Sequence, residues 1–303
     1  MVRKIKVIAL AFIAFASVQA SWPADTVQFD LLNRKKLNYT LAASAINLAG
    51  MTILLNEAWY KNHDRSSFHF YDDSGEWLQM DKAGHFFTSY ALSLAGIELI
   101  RNTGMGNTRA VWYGSLYGPV FLSVIEVLDG FSAEWGFSIA DMAANFAGTG
   151  LAVSQELLTG RQTIRIKYSY RHSSLAQYRP EMLGRNLPER MLKDYNGQAY
   201  WISANISDLT GIPGVIPDWL NIAFGYSANG MLGGYSDSYI SDGIADPLRY
   251  RQFFLAPDID LSKIHTKSRT VKSILKALNF LKTPAPALEY NRYDGLRLHL
   301  FFF

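Results

Sequence analysis

Three short polar motifs lie inside apolar segments of this 303-residue chain, and their residue types are those of acid-base and metal chemistry. They are Asp81-Lys82-x-x-His85, Glu126-x-x-Asp129 and Ser138-x-x-Asp141-x-x-x-Asn145-x-x-Gly148. A carboxylate or imidazole removed from water costs several kcal/mol unless it finds a partner. Ionisable residues on neighbouring apolar helices therefore indicate one shared polar site. We predict that the site brings together His85, Glu126, Asp129 and Asp141.

The acidic pair Glu126 and Asp129 requires a positive partner. Asp129 lies at a predicted helix C-terminus, where an acid opposes the macrodipole, and Glu126 one turn earlier adds repulsion. The candidate partners are Lys82, His85, Arg109, or a metal ion held by His85, Glu126 and Asp129. The chain has no H-x-x-x-H motif and no cysteine cluster, so a lock of hydrogen bonds and ion pairs is favoured over a metal, and no cofactor is predicted.

Each residue of the first motif also has a structural interpretation. Asp81 is expected to cap the N-terminus of a helix. His85 follows one turn later, where the helix dipole favours a neutral imidazole that can act as ligand, base or acceptor. Lys82 lies beside this face and is expected to be a surface or interface residue with an extended aliphatic stem, rather than a nucleophile.

The third motif has the spacing of a helix start. Ser138 and Asp141 resemble a capping box in which Asp replaces the usual Glu or Gln. Asn145 lies one turn beyond Asp141 on the same face, and capping cannot explain it. The small residues Ala144, Gly148 and Gly150 are expected to allow close contact between helices.

The first half of the chain has helical periodicity. We predict helices at about 38–60, 81–102, 108–128 and 139–158, separated by segments rich in glycine and polar residues. Their uninterrupted apolar stretches are about 13 to 16 residues long, whereas a membrane span needs about 20. A periplasmic or membrane-embedded bundle is therefore favoured over an inner-membrane protein.

After Gly160 the pattern alternates with the period of a β-strand. Strands are predicted near 164–171, 200–206, 220–226, 250–256 and 296–302, with one amphipathic helix at about 269–281 before a break at Pro284 and Pro286. Four to six strands are fewer than a closed transmembrane barrel of about eight requires, which favours a small sheet over an outer-membrane element. The fold class is thus predicted as α+β, a bundle of about four apolar helices followed by an antiparallel β-rich region.

Residues 1–20 have the pattern of a secretory signal peptide, with three basic residues before an apolar run and the small-x-small site Val18-Gln19-Ala20. Cleavage there would lower the formal charge from +3 to zero, because the leader carries three cations and no anion. No basic stripe suited to nucleic acid remains. The predicted domains are a helical domain over 21–160 and a β-rich domain over 161–303.

The motifs together resemble the DUF2279 family of predicted periplasmic lipoproteins, which includes YfiM-like proteins, and more distantly the VanZ-like membrane proteins. The resemblance covers about residues 75–155, and the segment from Pro217 to Tyr226 is similar to the extension of longer members from Bacteroidetes-type bacteria. It implies an envelope location and a shared polar site, but no established activity. The chain lacks the cysteine of a lipobox, so the lipid anchor is not expected to transfer.

Two classes of function follow from these observations. The favoured one is a non-catalytic envelope protein, in the periplasm or outer membrane, that is structural or binds a lipid, glycan or protein, with a membrane or envelope component as the expected partner. The alternative is a metal-assisted or acid-base hydrolase acting on a membrane lipid or cell-wall glycan. In that alternative His85 and Glu126 act as base or ligands, supported by Asp129 and Asp141.

Overall fold

A computed structural model describes residues 32–56, 63–211, 216–235 and 248–303 of the chain, so the predicted signal peptide lies outside the described residues. The fold class is α+β, as predicted, with helices before residue 160 and an antiparallel sheet after it. Contacts group the chain into two compact units. The helical unit holds the described residues up to Ser74 and Thr88–Gln162, and the sheet unit holds Gly75–Phe87 and the described residues from Thr163. The predicted domains 21–160 and 161–303 stay a prediction.

In the described part of the chain, five α-helices precede the sheet: α1 (Arg34–Leu55), α2 (Met80–Arg101), α3 (Asn107–Ser115), α4 (Tyr117–Gly130) and α5 (Ile139–Leu158). The sequence predicted α3 and α4 as one helix, and the structure divides them at Leu116. Pro119 explains the division, since it has no N–H to give to the carbonyl of Ser115 four residues earlier. The hydroxyl of Ser93 donates to that carbonyl instead, at 2.9 Å.

The helices of the helical unit approach closely at glycines that the sequence analysis did not select. A Cβ on Gly96 would lie 2.1 Å from the carbonyl oxygen of Gly114, and one on Gly118 would lie 2.5 Å from that of Ser89. Gly150, which was expected at such a contact, has no atom within 4 Å of its Cβ position. Within the described residues, one helical stretch, Asn107–Gly130, is long and apolar enough to cross a membrane, and the core helix of a soluble bundle would meet the same criterion.

Among the residues that the structure describes, six antiparallel strands form one sheet in sequence order: β1 (Ile164–Tyr170), β2 (Gln198–Asn205), β3 (Leu220–Asn229), β4 (Tyr250–Ile259), β5 (Ala285–Asn291) and β6 (Gly295–Phe302). The sequence predicted a break at Pro284 and Pro286, so it missed β5. Pro286 is tolerated there because the pairing of β5 with β6 is irregular between Ala285 and Ala287, where a strand can lose a ladder hydrogen bond.

Shorter helices connect the strands: α6 (Pro180–Leu183), α7 (Leu187–Lys193), α8 (Ile206–Thr210) and the amphipathic α9 (Arg269–Leu278). After α9 the chain becomes extended and pairs with β1, where the N–H of Tyr168 donates to Phe280 and that of Lys282 donates to Tyr168. The predicted helix at 269–281 is therefore correct in position but three residues too long.

The sheet curls around an inner core of its own. The rings of Trp201 on β2 and Phe302 on β6 lie 5.7 Å apart, although β3, β4 and β5 separate their strands. In a flat sheet four strand spacings would put them about 19 Å apart. Phe254 on β4 lies between them, with ring centroids 5.6 Å and 4.5 Å away, so one face of the sheet is concave.

Candidate functional site

The residues predicted to share one polar site are divided between the two units. Glu126, Asp129, Ser138, Asp141 and Asn145 belong to the helical unit, and Asp81, Lys82 and His85 belong to the sheet unit. Each group is described within its own unit below. The convergence of His85 with the acids of the helical unit stays a prediction.

In the helical unit, Ser138 joins three parts of the polypeptide. Its Oγ accepts a hydrogen bond from the N–H of Asp141 at 3.0 Å, which caps α5 as predicted. The same hydroxyl donates to Oδ1 of Asp73 at 2.5 Å. The N–H of Ser138, which the acid of a capping box would bind, donates to Oε2 of Glu126 at 3.2 Å. The end of α4, the start of α5 and the segment before α2 therefore meet at one side chain.

Asp141 and Asn145 lie on the buried face of α5, on a stripe that continues through Gly148 and Ala152. Glu126 on α4 is 1% exposed and Asn145 is fully buried, whereas Asp129 is only half-buried at the end of its helix. The expectation that Asn145 serves something other than capping agrees with this position. Asn145 lies one turn deeper than the cap, on the face that packs inward.

The glycines of this region permit two loops to run side by side. Segments 65–70 and 130–137 are joined by bridges between Arg65 and Ser132 and between Phe70 and Phe137. A Cβ on Gly130 would lie 2.4 Å from the ring of Phe68, and one on Gly136 would lie 2.4 Å from Cβ of Tyr71. The aromatic rings packed at this junction are those of Phe68, Phe70, Phe131 and Phe137.

A second polar group in the helical unit was not predicted. Arg101 forms ion pairs with Glu156 at 2.6 Å and with Glu98 at 3.2 Å, and Glu156 accepts a further bond from Gln162 at 2.9 Å. Burial alone would lower the pKa of Arg101, but its bonds to these acids outweigh that effect and raise it. Glu98 and Arg101 are one turn apart near the end of α2, so this ion pair lies within a single helix.

In the sheet unit, Asp81 is the centre of the polar contacts made by the first turns of α2. The hydroxyl of Tyr195 donates to Oδ1 of Asp81 at 2.6 Å, and the ammonium of Lys82 lies 3.1 Å from Oδ2. Nε2 of His85 lies 3.8 Å from Oδ1, too far for a hydrogen bond but within ion-pair range when the imidazole is protonated. Burial raises the pKa of the Asp81 carboxyl, but His85, Lys82 and Tyr195 outweigh it and hold the pKa below its usual 3.8.

One expectation for this motif is corrected. Asp81 does not cap α2, because the helix begins at Met80 and Asp81 lies in its first turn. Lys82 was expected at a surface or an interface; its side chain is 13% exposed and its ammonium pairs with Asp81, which leaves the interface alternative.

The turn before α2 has an uncommon backbone. Trp77, Leu78 and Gln79 have φ values of 49°, 51° and 64°, and the left-handed conformation costs about 1–2 kcal/mol for each such residue. Contacts within the sheet unit hold the turn: Trp77 donates to the carbonyl of Gly234, Leu78 accepts from Tyr226, and Gln79 accepts from Arg251. The orientation of Asp81 therefore depends on β3 and β4.

Gly84 allows this part of α2 to lie against the strands. A Cβ on Gly84 would come 2.9 Å from the hydroxyl oxygen of Tyr200, a partly buried residue whose pKa is raised well above its usual range, mainly by removal of the hydroxyl from water. The ring of Phe87 packs beside Tyr200 and Tyr168 at centroid distances of 5.9 and 5.8 Å. Neither tyrosine was selected from the sequence, because nothing in a strand pattern indicates which helix will cover it.

The concave face of the sheet holds a third cluster, which sequence reasoning missed. Asp258 lies 2.8 Å from the ammonium of Lys167 and 3.5 Å from that of Lys282, and these three side chains are at most 1% exposed. Ser203 and Thr283 donate to the same carboxylate at 2.6 and 2.7 Å. Burial raises the pKa of Asp258, but the two lysines outweigh it and lower the pKa.

A neighbouring inward group has the same character. Oε2 of Glu289 lies 2.6 Å from Nε2 of His299, and its Oε1 accepts from Gln252 at 2.6 Å and from Asn291 at 2.8 Å. Each of these buried carboxylates therefore has a partner on both oxygens, the arrangement of a structural cluster rather than of an open reaction centre.

The comparison with protein families agrees with the motifs. Residues 68–156 match the model of the DUF2279 family, described as predicted periplasmic lipoprotein, which confirms the resemblance to that family noted in the sequence. The matched segment contains all three motifs and ends before β1. It supports an exported location in the cell envelope. No curated protein and no solved structure matches the chain.

Proposed function

We propose that this chain, which carries a segment of a predicted periplasmic lipoprotein family, is a non-catalytic envelope protein that binds an envelope component. Its buried polar groups stabilise its two units. The observation that carries the proposal is that both carboxylate oxygens of Asp81 have partners within the chain. Tyr195 occupies one carboxylate oxygen and Lys82 the other, so the acid is held in place rather than left open to a substrate.

The helical unit supports the same interpretation. Glu126 and Ser138 connect the end of α4 to the start of α5, and Ser138 also binds Asp73. A hydrogen bond to a charged group stabilises a fold by about 1.5–3 kcal/mol. Three bonds at one serine therefore give these residues a structural role that needs no reaction.

The hydrolase alternative has one observation in its favour. Three side chains surround the carboxylate of Asp81: the hydroxyl of Tyr195 at 2.6 Å, the ammonium of Lys82 at 3.1 Å and the imidazole of His85 at 3.8 Å. Histidine, lysine and tyrosine are residue types of acid-base catalysis. A metal-assisted variant would use His85, Glu126 and Asp129 as ligands. The two proposals differ in what removal of His85 does.

The deciding experiment is metal analysis of the purified mature protein and of His85→Ala, with thermal melts in the presence and absence of a chelator. We expect no stoichiometric metal, and an unfolding temperature that falls in His85→Ala and does not respond to the chelator in either protein. His265→Ala, at an exposed position, is the matched control and should melt like the parent. One bound metal per chain that is lost in His85→Ala would favour the hydrolase.

The envelope location has a separate test. Cell fractionation and N-terminal sequencing should find the protein in the periplasm or outer membrane with a mature terminus near Ala20. A cytoplasmic protein that retains Met1 would refute this part of the proposal.

A further inference from the structure

The two faces of the sheet have the opposite polarity to that of a soluble sheet. A half-buried antiparallel sheet normally turns its apolar side chains inward and its polar ones to water. Here the concave face buries Lys167, Asp258, Glu289 and Gln252 around a few aromatic rings. The convex face carries the large apolar side chains of the same strands, which are exposed.

The exposed apolar side chains are aligned in register across five strands. Pairing places Ile202 opposite Phe224, Phe224 opposite Leu255, Leu255 opposite Leu288, and Leu288 opposite Leu298. Their exposed fractions lie between 40% and 67%. We call these five residues the apolar row. Such a continuous row is larger than the scattered apolar side chains of an ordinary surface.

A shift in register cannot account for the reversal. Moving a strand by one residue exchanges its two faces, so a shift of β1 would carry Lys167 outward and a shift of β4 would carry Asp258 outward. Both are fixed inward by contacts with several strands and with Lys282. The reversed polarity is therefore built into the pairing that closes the concave cluster.

Helix α9 likewise exposes its apolar face. Its apolar stripe of Val271, Ile274 and Leu278 is 43–51% exposed, whereas Ser273 on another face is buried. The side chain of Asn279, at the end of the helix, donates to Asp260, the residue after β4, at 2.7 Å. A helix that exposes its apolar stripe beside basic residues is typical of a membrane interface.

The charge of α9 indicates what covers the apolar row and the apolar stripe of α9. Helix α9 carries three cations, Arg269, Lys272 and Lys276, and no acid. A second copy of the chain placed on the same helix would bring like charges together, whereas anionic lipid headgroups are complementary to them. The strands also have a suitable length, because β3 and β4 have 10 residues each and a strand needs about 9 to 11 to cross the hydrocarbon layer.

We infer that the apolar row and the apolar stripe of α9 lie against the acyl chains of an anionic phospholipid membrane, with the cations of α9 at the headgroups. Tyr290, two residues along β5 from Leu288, is exposed beside the apolar row, as amphipathic rings are at a membrane boundary. The inference rests on the proposed envelope location, but its test in purified vesicles does not.

Because the chain has no cysteine, one introduced cysteine can be labelled alone. The full mature chain carrying Leu255→Cys is labelled with an environment-sensitive fluorophore and mixed with vesicles of phosphatidylethanolamine and phosphatidylglycerol. Leu187→Cys is the matched control, since Leu187 is also exposed and apolar but lies on α7, outside the apolar row. We expect a blue shift, and quenching by nitroxides on the acyl chains, for the label at 255 only.

The headgroup contact is tested by Arg269→Gln. A basic residue near an anionic surface contributes about 1 kcal/mol, so the variant should bind these vesicles about fivefold more weakly. It should bind neutral vesicles no differently from the parent. Leu255→Arg should weaken binding to both kinds of vesicle by at least about tenfold, because a cation is costly in hydrocarbon.

The inference would be overturned if the labels at 255 and 187 responded alike, or if the protein failed to float with vesicles. It would also be overturned if sedimentation showed a lipid-free dimer that Leu255→Arg dissociates, which would assign the face to a second copy. A cytoplasmic location with vesicle binding intact would refute the proposed envelope function and leave the lipid contact standing.

Discussion

The carboxylate of Asp258 lies 2.8 Å from the ammonium of Lys167, and neither side chain has any contact with solvent. Lys282 approaches the same carboxylate from the segment before β5, at 3.5 Å. One acid thus balances two buried cations, and hydrogen bonds from Ser203 and Thr283 complete its shell. Removing one member of such a cluster strongly destabilises the folded state, because the remaining charges stay buried without a counter-ion.

We therefore expect Asp258→Asn to destabilise the protein by about 3–5 kcal/mol, because both lysines lose their counter-charge. Chemical denaturation followed by circular dichroism measures this. Asp294→Asn, which breaks the exposed pair with Arg297, is the control and should leave the unfolding transition unchanged. Equal stability of Asp258→Asn and the parent would show that the cluster does not hold the sheet.

The lowered pKa of Asp81 predicts how the stability of the protein depends on pH. Its folded-state pKa is lowered, so the folded state binds fewer protons than the unfolded state as the acid titrates. The stabilisation is complete above the unfolded value near 3.8 and is lost as the pH falls through the lower folded value. Stability curves of the parent and Asp81→Asn should therefore be well separated at neutral pH and converge in acid below that value. A constant separation at all pH values would contradict the prediction.

Two glycines provide a matched pair for the loop junction. Gly130→Ala should destabilise the protein by about 1–3 kcal/mol, because the new methyl group would meet the ring of Phe68 at 2.4 Å. Gly150→Ala should stabilise it by about 0.5–1 kcal/mol, since its Cβ position is open and alanine favours the helix. Thermal melts compare the two variants. A loss of stability in Gly150→Ala as large as that in Gly130→Ala would contradict the assigned contact.

Asp129 distinguishes a structural cluster from a reaction centre. If the acid acts structurally, Asp129→Asn should be tolerated better than Asp129→Ala, because asparagine keeps the shape and an acceptor and relieves repulsion with Glu126. Alanine leaves buried groups unpaired at about 1–3 kcal/mol each. Melting temperatures with and without chelator test this. A metal site would instead lose its ion in both variants, with melting temperatures that the chelator no longer affects.

The local elements were largely predictable. The pattern of apolar residues located α2 and α5 to within one residue, because burial of one helix face imposes a period of 3.6. Alternation of side-chain type located β1 and the start of β3, because side chains of a strand point to its two faces in turn. The strand β5 was missed because two prolines near its start indicate a break, and only its irregular pairing with β6 accommodates Pro286.

The sequence predicted which polar residues belong to the candidate site, but it did not predict which residues they contact. Ser138 was recognised as a cap because capping depends on neighbours three residues away. Tyr195 could not be paired with Asp81, nor Arg101 with Glu156, because those contacts join segments that are far apart in the chain.

The sequence by itself determined the helices, most strands, the polar motifs and the family that residues 68–156 match, since each depends on local spacing or on residue identity. Only the tertiary structure decided which face of each strand is buried. Alternation gives a strand one polar and one apolar face, and it does not say which faces inward. Here Asp258, Lys167 and Lys282 satisfy one another across distant strands, and this pairing turns the apolar row outward.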